Sequence, residues 1–217
     1  MVKFSNHKQG TQEWLAERAG FVTASCLGDL LATDKKTGKP LKSRETYLRR
    51  VVTERIYGEP MESPQAYALQ WGHDAEPYAR REAQIFTGET IVEAGFARHP
   101  KIKFFGASVD GLIGDDGTYE SKCPKNSAVH MLTWEHGMPE EHIPQVQGQL
   151  AVTGRQWCMF VSYDPRAPKE FQLYVQHVQR DEKYIADMEK KVKVFLAEAT
   201  LKIDFLNKKA KLLGDAE

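Results

Sequence analysis

Between two stretches of helical periodicity lies the run FFGASVDGLIGDDGTYESKCP, residues 104–124, which restricts the fold more than any other segment. Its two arms are strand-like and flank Gly-Asp-Asp-Gly, a composition suited to a hairpin turn. Side chains alternate between faces along a strand, so Glu120 and Lys122 share one face while Tyr119, Ser121 and Cys123 share the other. On the first arm Ser108 and Asp110 lie together by the same period. The turn thus predicts Asp110 close to Glu120, with Lys122 one step along. A hairpin charged in this way is either a solvated sheet edge or a cation site at the open end of a sheet.

The flanking sequence sets the layers. Residues 11–19 predict a helix stopped by Gly20, and TASCLGDLLA a second, short one. SRETYLRRVVTERIYG brings Tyr47, Leu48, Val51, Val52 and Ile56 to near-helical spacing, with Ser43 as the expected N-cap and Gly58 as the stop. AYALQWGHDAEPYARREAQIFTG predicts a longer helical region, interrupted at Gly72 and restarted at Pro77. From Thr90 short β-like runs take over, joined later by RQWCMFVSYDP and KEFQLYVQHVQ, with the helix IPQVQGQLAVTG between the groups. Tyr184, Ile185, Met188, Val192, Phe195, Leu196, Ala199 and Ile203 mark an amphipathic closing helix over about 181–210. The order predicts an α/β (α+β) fold, a central mixed sheet of about five strands flanked by helices. One domain is expected over 1–217, its helical amino-terminal part spanning about 1–88.

Lysine plus arginine and aspartate plus glutamate both number 30 in 217 residues. This balance argues against whole-protein attraction to nucleic acid or membrane, though a groove needs only a few aligned cations. Cys26, Cys123 and Cys158 have no paired spacing, which speaks against a disulfide framework or a zinc cluster and suits a reducing cytoplasm. No apolar run approaches the ~20 residues of a membrane span.

Two carboxylates converging away from water repel each other unless a cation separates them. Carboxylate oxygens with a backbone carbonyl suit Mg²⁺ or Mn²⁺. Lys122 beside such a metal can orient or deprotonate a water, or neutralise a scissile phosphate. An Asp followed by Glu-x-Lys on adjacent strands is the physical content of the nuclease signature PD-(D/E)xK. An acid-x-Lys spacing alone decides little, because it recurs at Asp34, Asp181 and Glu189, outside any hairpin.

Six blocks in order are far more specific: ERAGFVTAS, QWGHDAEPYAR, SVDGL, ESKCP, IPQVQGQL and GRQWCMFVSYDPR, over about 12–166. Together they resemble the lambda exonuclease type of phage recombination nuclease, the YqaJ-like viral recombinase family, which implies a restriction-endonuclease-like core. By that resemblance Asp110, Glu120 and Glu76 are metal-binding carboxylates, the Ser121 carbonyl is a further ligand, and Lys122 is the catalytic lysine. Gln147 matches a family glutamine near the active site, with Gln145 and Gln149 flanking it. Arg18 matches the arginine that holds a 5′-terminal phosphate, helped by Ser25. Val109 stands where the family often has proline, and Ser121 where it often has an apolar residue; neither removes a ligand. The implied activity is Mg²⁺-dependent 5′-to-3′ digestion of linear double-stranded DNA to 5′-mononucleotides, leaving a 3′ tail. The implied partners are two further copies in a toroidal homotrimer and a single-strand annealing protein, in the cytoplasm of a phage's bacterial host.

Other conspicuous residues have plainer expectations. Trp71 and Trp157 suit core packing rather than base stacking, and His73 a surface or core position rather than the metal's periphery. Arg49-Arg50 and Arg80-Arg81 suit exposed helix faces, or alternatively a DNA passage, and Cys123 suits packing rather than nucleophilic work. Two other functions share these features: an endonuclease of the same fold, and a catalytically dead DNA-binding scaffold, against which the intact Asp110, Glu120 and Lys122 speak.

Overall fold

The computed structural model describes residues 2–61 and 66–214. Helix α1 (Gln12–Arg18) opens at Thr11, whose hydroxyl accepts the amide of Trp14 at 3.3 Å, satisfying one of the donors a helix start leaves over. Gly20 then turns the chain at φ 74°, and a Cβ there would sit 2.6 Å from Arg55 Cγ. Glycine is thus required by both conformation and space. Strand β1 (Val22–Thr23) and a 3-10 turn lead into α2 (Leu27–Leu31). Helix α3 (Lys42–Tyr57) buries Tyr47, Leu48, Val51 and Val52 of the expected stripe, leaves Ile56 exposed, and ends at Gly58. It starts earlier than expected: Leu41, without a side-chain cap, holds the N-cap position instead of Ser43.

Helix α4 (Ala66–Thr87) runs through Pro77 without interruption, contrary to the expected break at Gly72 and fresh start at Pro77. A mid-helix proline costs about 3 kcal/mol. Burial of Ala75, Ala79 and Ala83 along one face of the helix offsets it.

The strands β2 (Ile91–Val92), β3 (Phe96–Arg98), β4 (Phe105–Ser108), β5 (Gly111–Ile113), β6 (Gly117–Lys122), β7 (Trp157–Tyr163) and β8 (Leu173–Gln179) follow, with α5 (Ser127–His136) and α6 (Ile143–Thr153) between β6 and β7. The central sheet has the order β2-β5-β6-β7-β8, with β6 and β7 parallel and the other neighbours antiparallel. Five strands in a mixed sheet is the expected architecture. A parallel pair needs a long crossover, which α5 and α6 supply. Helix α7 (Glu182–Gly214) extends past the expected end of the closing helix. No described helix is long and apolar enough to cross a membrane.

The hairpin differs from its expected form on one arm. Its first half is not one strand: β4 belongs to a separate sheet of order β1-β4-β3, and only β5 pairs with β6. Val109 and Asp110 are the link between the two sheets. Residues 114–116 form the turn, with Gly114 at φ 50°. Arg155 donates to the carbonyls of Ile113, Gly114 and Gly117 at 3.2, 3.0 and 2.7 Å, clamping it shut.

Two hydrophobic clusters lie on either side of the central sheet. Ala79 and Ala83 of α4 pack on Ile113, Tyr119, Met159 and Val161. The larger cluster joins α2, α3, α6 and α7 through residues such as Leu48, Val51, Leu150, Val192 and Phe195. Fully buried apolar side chains of this size each contribute roughly 1.5–3 kcal/mol. Alternation along β6 therefore turns Tyr119 toward α4 and Glu120 toward α6.

Candidate active site

Asp110, Glu120 and Lys122 do come together. The Asp110 carboxylate reaches across from the inter-sheet link and accepts the Ser121 amide at 2.8 Å and its hydroxyl at 3.2 Å. Ser121, expected to contribute a carbonyl, grips Asp110 by its amide and hydroxyl donors. The Lys122 ammonium donates to Glu120 Oε1 at 2.7 Å, with Glu120 2% exposed and Lys122 30%. Burial opposes the lysine's charge, but Glu120 and Asp110 hold its pKa above the ordinary lysine value. Lys122 is thus a firmly protonated ammonium in this arrangement.

Asp110 behaves in the opposite way. Burial, then the charges of Glu120 and Glu76, push its carboxyl well above the usual aspartate range. Three acids feel one another at this spot, and Lys122 only partly relieves them. Glu76, on α4, accepts from Arg80 at 3.0 Å, and Arg80 also pairs with Glu93. As they stand, no three His, Cys, Asp or Glu side chains among the described residues are grouped closely enough to hold a metal ion. The donor chemistry nonetheless fits a hard divalent cation: the oxygens are carboxylates, they repel one another, and Gln149 Oε1 is a buried acceptor with no hydrogen-bond partner.

Two glutamines that sequence reasoning left aside complete the cluster. Gln145 Nε2 donates to Glu120 Oε1 at 2.5 Å, and its Oε1 accepts from Lys122 at 2.9 Å. Gln149 Nε2 donates to Glu120 Oε2 at 2.6 Å and to the Ser108 carbonyl at 3.1 Å. Gln147, the residue singled out, faces elsewhere: it donates to the Gln179 carbonyl at 2.8 Å and accepts the Asp181 amide at 2.9 Å. Helical phase is the reason. Residues four apart share a face, and a residue two away from each points roughly opposite. The i, i+4 pair Gln145 and Gln149 was the available signal.

Arg18 and Ser25 also meet, at 3.4 Å from Nη2 to Oγ. The Arg18 guanidinium lies 3.9 Å over the Trp14 ring, and Trp14 Nε1 donates to Ser108 Oγ at 3.0 Å. Ser108 therefore touches both groups of residues, taking Trp14 on its hydroxyl and Gln149 on its carbonyl. Burial lowers the Arg18 pKa, with the nearby Arg50 adding to the effect. Arg50 is not on an exposed face: it turns inward to Cys26, while Arg49 is exposed and pairs with Glu45.

Trp71 and Trp157 are both half-buried, and Trp157 packs against the hydrophobic cluster under α4, as expected. Arg166 stacks on Trp71 at 4.7 Å. Trp157 covers Gly117, where a Cβ would lie 2.4 Å from its ring. Arg80 is bound between Glu76 and Glu93 instead of facing outward. Burial pushes the Cys123 thiol up to about 12, which suits packing and not nucleophilic attack. The His73 side chain lies outside the described residues.

Comparison with known proteins gives the family and the fold. The profile of the YqaJ-like viral recombinase domain matches residues 13–156. The chain is similar to an alkaline exonuclease from Laribacter hongkongensis, LHK-Exo, at 43% identity and TM-score 0.85, over 94% of this chain and 100% of that one. A second structure of LHK-Exo, equally similar, contains dAMP. A phage-related exonuclease from Haemophilus somnus shares the fold at 14% identity and TM-score 0.66, over 86% and 96% of the two chains. No curated protein sequence matches this chain. With the profile spanning most of its length, the chain belongs to the YqaJ-like viral recombinase family.

Proposed function

We propose that this recombinase-family nuclease is a Mg²⁺-dependent exonuclease that digests linear double-stranded DNA from its 5′ ends. It releases 5′-mononucleotides and leaves 3′ single-stranded tails for recombination by strand annealing. The observation that carries this proposal is the link through Ser108, which ties the Arg18–Trp14 stack to the Gln149–Glu120 pair. A cationic pocket coupled to a hydrolytic carboxylate cluster suits an enzyme that works from a strand end. The dAMP in the Laribacter relative is a mononucleotide of the kind such digestion releases.

Asp110, Glu120 and Glu76, with the Ser121 carbonyl, would hold Mg²⁺ or its substitute Mn²⁺, which when bound polarises the phosphate and lowers the pKa of water. The ion would add to the positive charge that Arg80 and Lys122 already set against Glu76 and Glu120. The Lys122 ammonium has three N–H donors, two of them given to Glu120 and Gln145. The third serves the attacking water or a phosphate oxygen. Gln149 keeps Glu120 oriented through its bond to Oε2. Arg18 offers a fork of donors to the 5′-phosphate, with the Ser25 hydroxyl beside it.

The same proposal includes a toroidal homotrimer around the DNA, which reconciles DNA binding with a formal net charge of +0, because cations need line only the hole. A single-strand annealing protein is the expected partner, in a bacterial cytoplasm. One assay tests the activity: linear and covalently closed duplexes, labelled at either end, incubated with Mg²⁺ or EDTA. Mononucleotide release from 5′ ends of linear DNA, abolished by EDTA, is expected. Cleavage of closed circles, or release from 3′ ends first, would overturn it in favour of an endonuclease or the opposite polarity.

A further inference from the structure

Beside Arg18 stands a second guanidinium with no assigned task. Arg50 projects from α3 across Tyr47, 4.8 Å from the ring centroid, and donates Nη2–H to Cys26 Sγ at 2.9 Å. Cys26 follows Ser25, whose hydroxyl meets Arg18. The two arginines thus converge on Ser25-Cys26 from different elements, each braced on an aromatic ring. Their charges are poorly matched locally. Glu54, the carboxylate nearest Arg50 at 3.9 Å, is committed to the amides of Gly20 and Met61 at 2.8 and 3.2 Å. The Nε atoms of Arg18 and Arg50 are both buried without a hydrogen-bond partner. Two partly desolvated cations sharing one committed carboxylate, with donors left over, form a cradle for a dianion.

We propose that Arg50 is the second cation of the Arg18 pocket and that the two together grip the terminal 5′-phosphate of the DNA. This inference rests on the phosphate-anchoring role proposed for Arg18. A terminal phosphomonoester carries more charge than an internal phosphodiester, so paired arginines discriminate a phosphorylated end from a hydroxyl one. Arg18 is held in place by Trp14, and Arg50 by Tyr47 and Cys26, so neither needs reordering when the phosphate arrives.

The test is the ratio of digestion rates on 5′-phosphoryl and 5′-hydroxyl duplexes, measured for the wild type, Arg18→Ala, Arg50→Gln and Arg50→Lys. Losing a charge-assisted contact lowers the ratio by roughly tenfold to a hundredfold, and Arg50→Lys falls between wild type and Arg50→Gln. In parallel, inorganic phosphate and dAMP are expected to raise the melting temperature of the wild type more than that of either Arg50 variant. If Arg50→Gln does not fold, Arg50→Lys keeps the stem and the charge and still reports on the fork. A wild-type ratio in both Arg50 variants, with the ratio lost in Arg18→Ala, overturns the role of Arg50 and leaves that of Arg18 standing. A wild-type ratio near one overturns both.

Discussion

Trp14 Nε1 donates to Ser108 Oγ at 3.0 Å across 94 residues of sequence, while the face of the same indole supports Arg18. Ser108 also gives its carbonyl to Gln149, so one serine at the end of β4 registers the arginine pocket against Glu120. Trp14→Phe keeps an aromatic platform but removes the N–H. It should reduce digestion of phosphorylated ends by about tenfold, the value of one lost hydrogen bond. Ser108→Ala should add little in the Trp14→Phe background, because contacting groups are non-additive. Full additivity in that double-mutant cycle would show that the bond does not couple the two groups.

Removing the Lys122 ammonium should leave Glu120 with its two glutamine donors but no charge partner. Lys122→Ala is expected to lower the cleavage rate by about 10²- to 10⁴-fold, with DNA affinity largely retained. Asp110→Asn should abolish cleavage yet not lower the melting temperature of the metal-free protein, because it removes a buried charge repelled by Glu120 and Glu76. Thermal denaturation in EDTA, beside a filter-binding assay, checks both. A large drop in stability for Asp110→Asn would mean that its bonds to Ser121 outweigh the repulsion.

The three glutamines of α6 should separate cleanly. Gln145→Ala and Gln149→Ala are expected to cut activity by tenfold or more, since each holds a Glu120 oxygen. Gln147→Ala instead removes two buried bonds to the backbone, which should cost about 1–3 kcal/mol of stability and leave turnover per folded molecule near wild type. Denaturant titration and single-turnover digestion of the three variants decide the matter. A catalytic defect in folded Gln147→Ala would restore the residue originally singled out.

Stability at low pH should depend on Asp164, a fully buried carboxylate at the end of β7. Burial raises its pKa, but bonds from Arg166 and Ser127 prevail and hold it at about 2. Arg166 in turn ties down the carbonyls of Pro124 and Lys125, just beyond Lys122. A folded pKa below the unfolded one stabilises above the unfolded value, and that benefit disappears as pH falls from about 4 toward 2. Asp164→Asn should therefore cost about 1–2 kcal/mol at pH 7, allowing for the half-exposed Arg166. The gap between wild type and variant should narrow by pH 3. An undiminished gap there would point to packing and not to charge.

Much of the site was legible because it depends on short-range backbone geometry. Period-two alternation put Glu120 and Lys122 on one face of β6, and a hairpin turn brought Asp110 within reach of Ser121. Helical spacing marked the buried stripe of α3. The failures share another cause. Nothing local reveals that the chain changes sheets at Val109–Asp110, since β4 and β5 look like one strand until β1 and β3 claim the first half. Pro77 reads as a helix start until the packing of Ala75, Ala79 and Ala83 carries the helix through it.

What the sequence determined by itself is the set of elements, the hairpin that carries Asp110, Glu120 and Lys122, and, through six ordered blocks, the family. Only the tertiary structure decided which side chains meet: Gln145 and Gln149 instead of Gln147 at Glu120, Ser108 between Trp14 and Gln149, and Arg50 beside Arg18. The reason is physical. A residue's face on its own helix or strand follows from local periodicity, whereas its partner depends on how elements distant in the chain pack, and no period spans that distance.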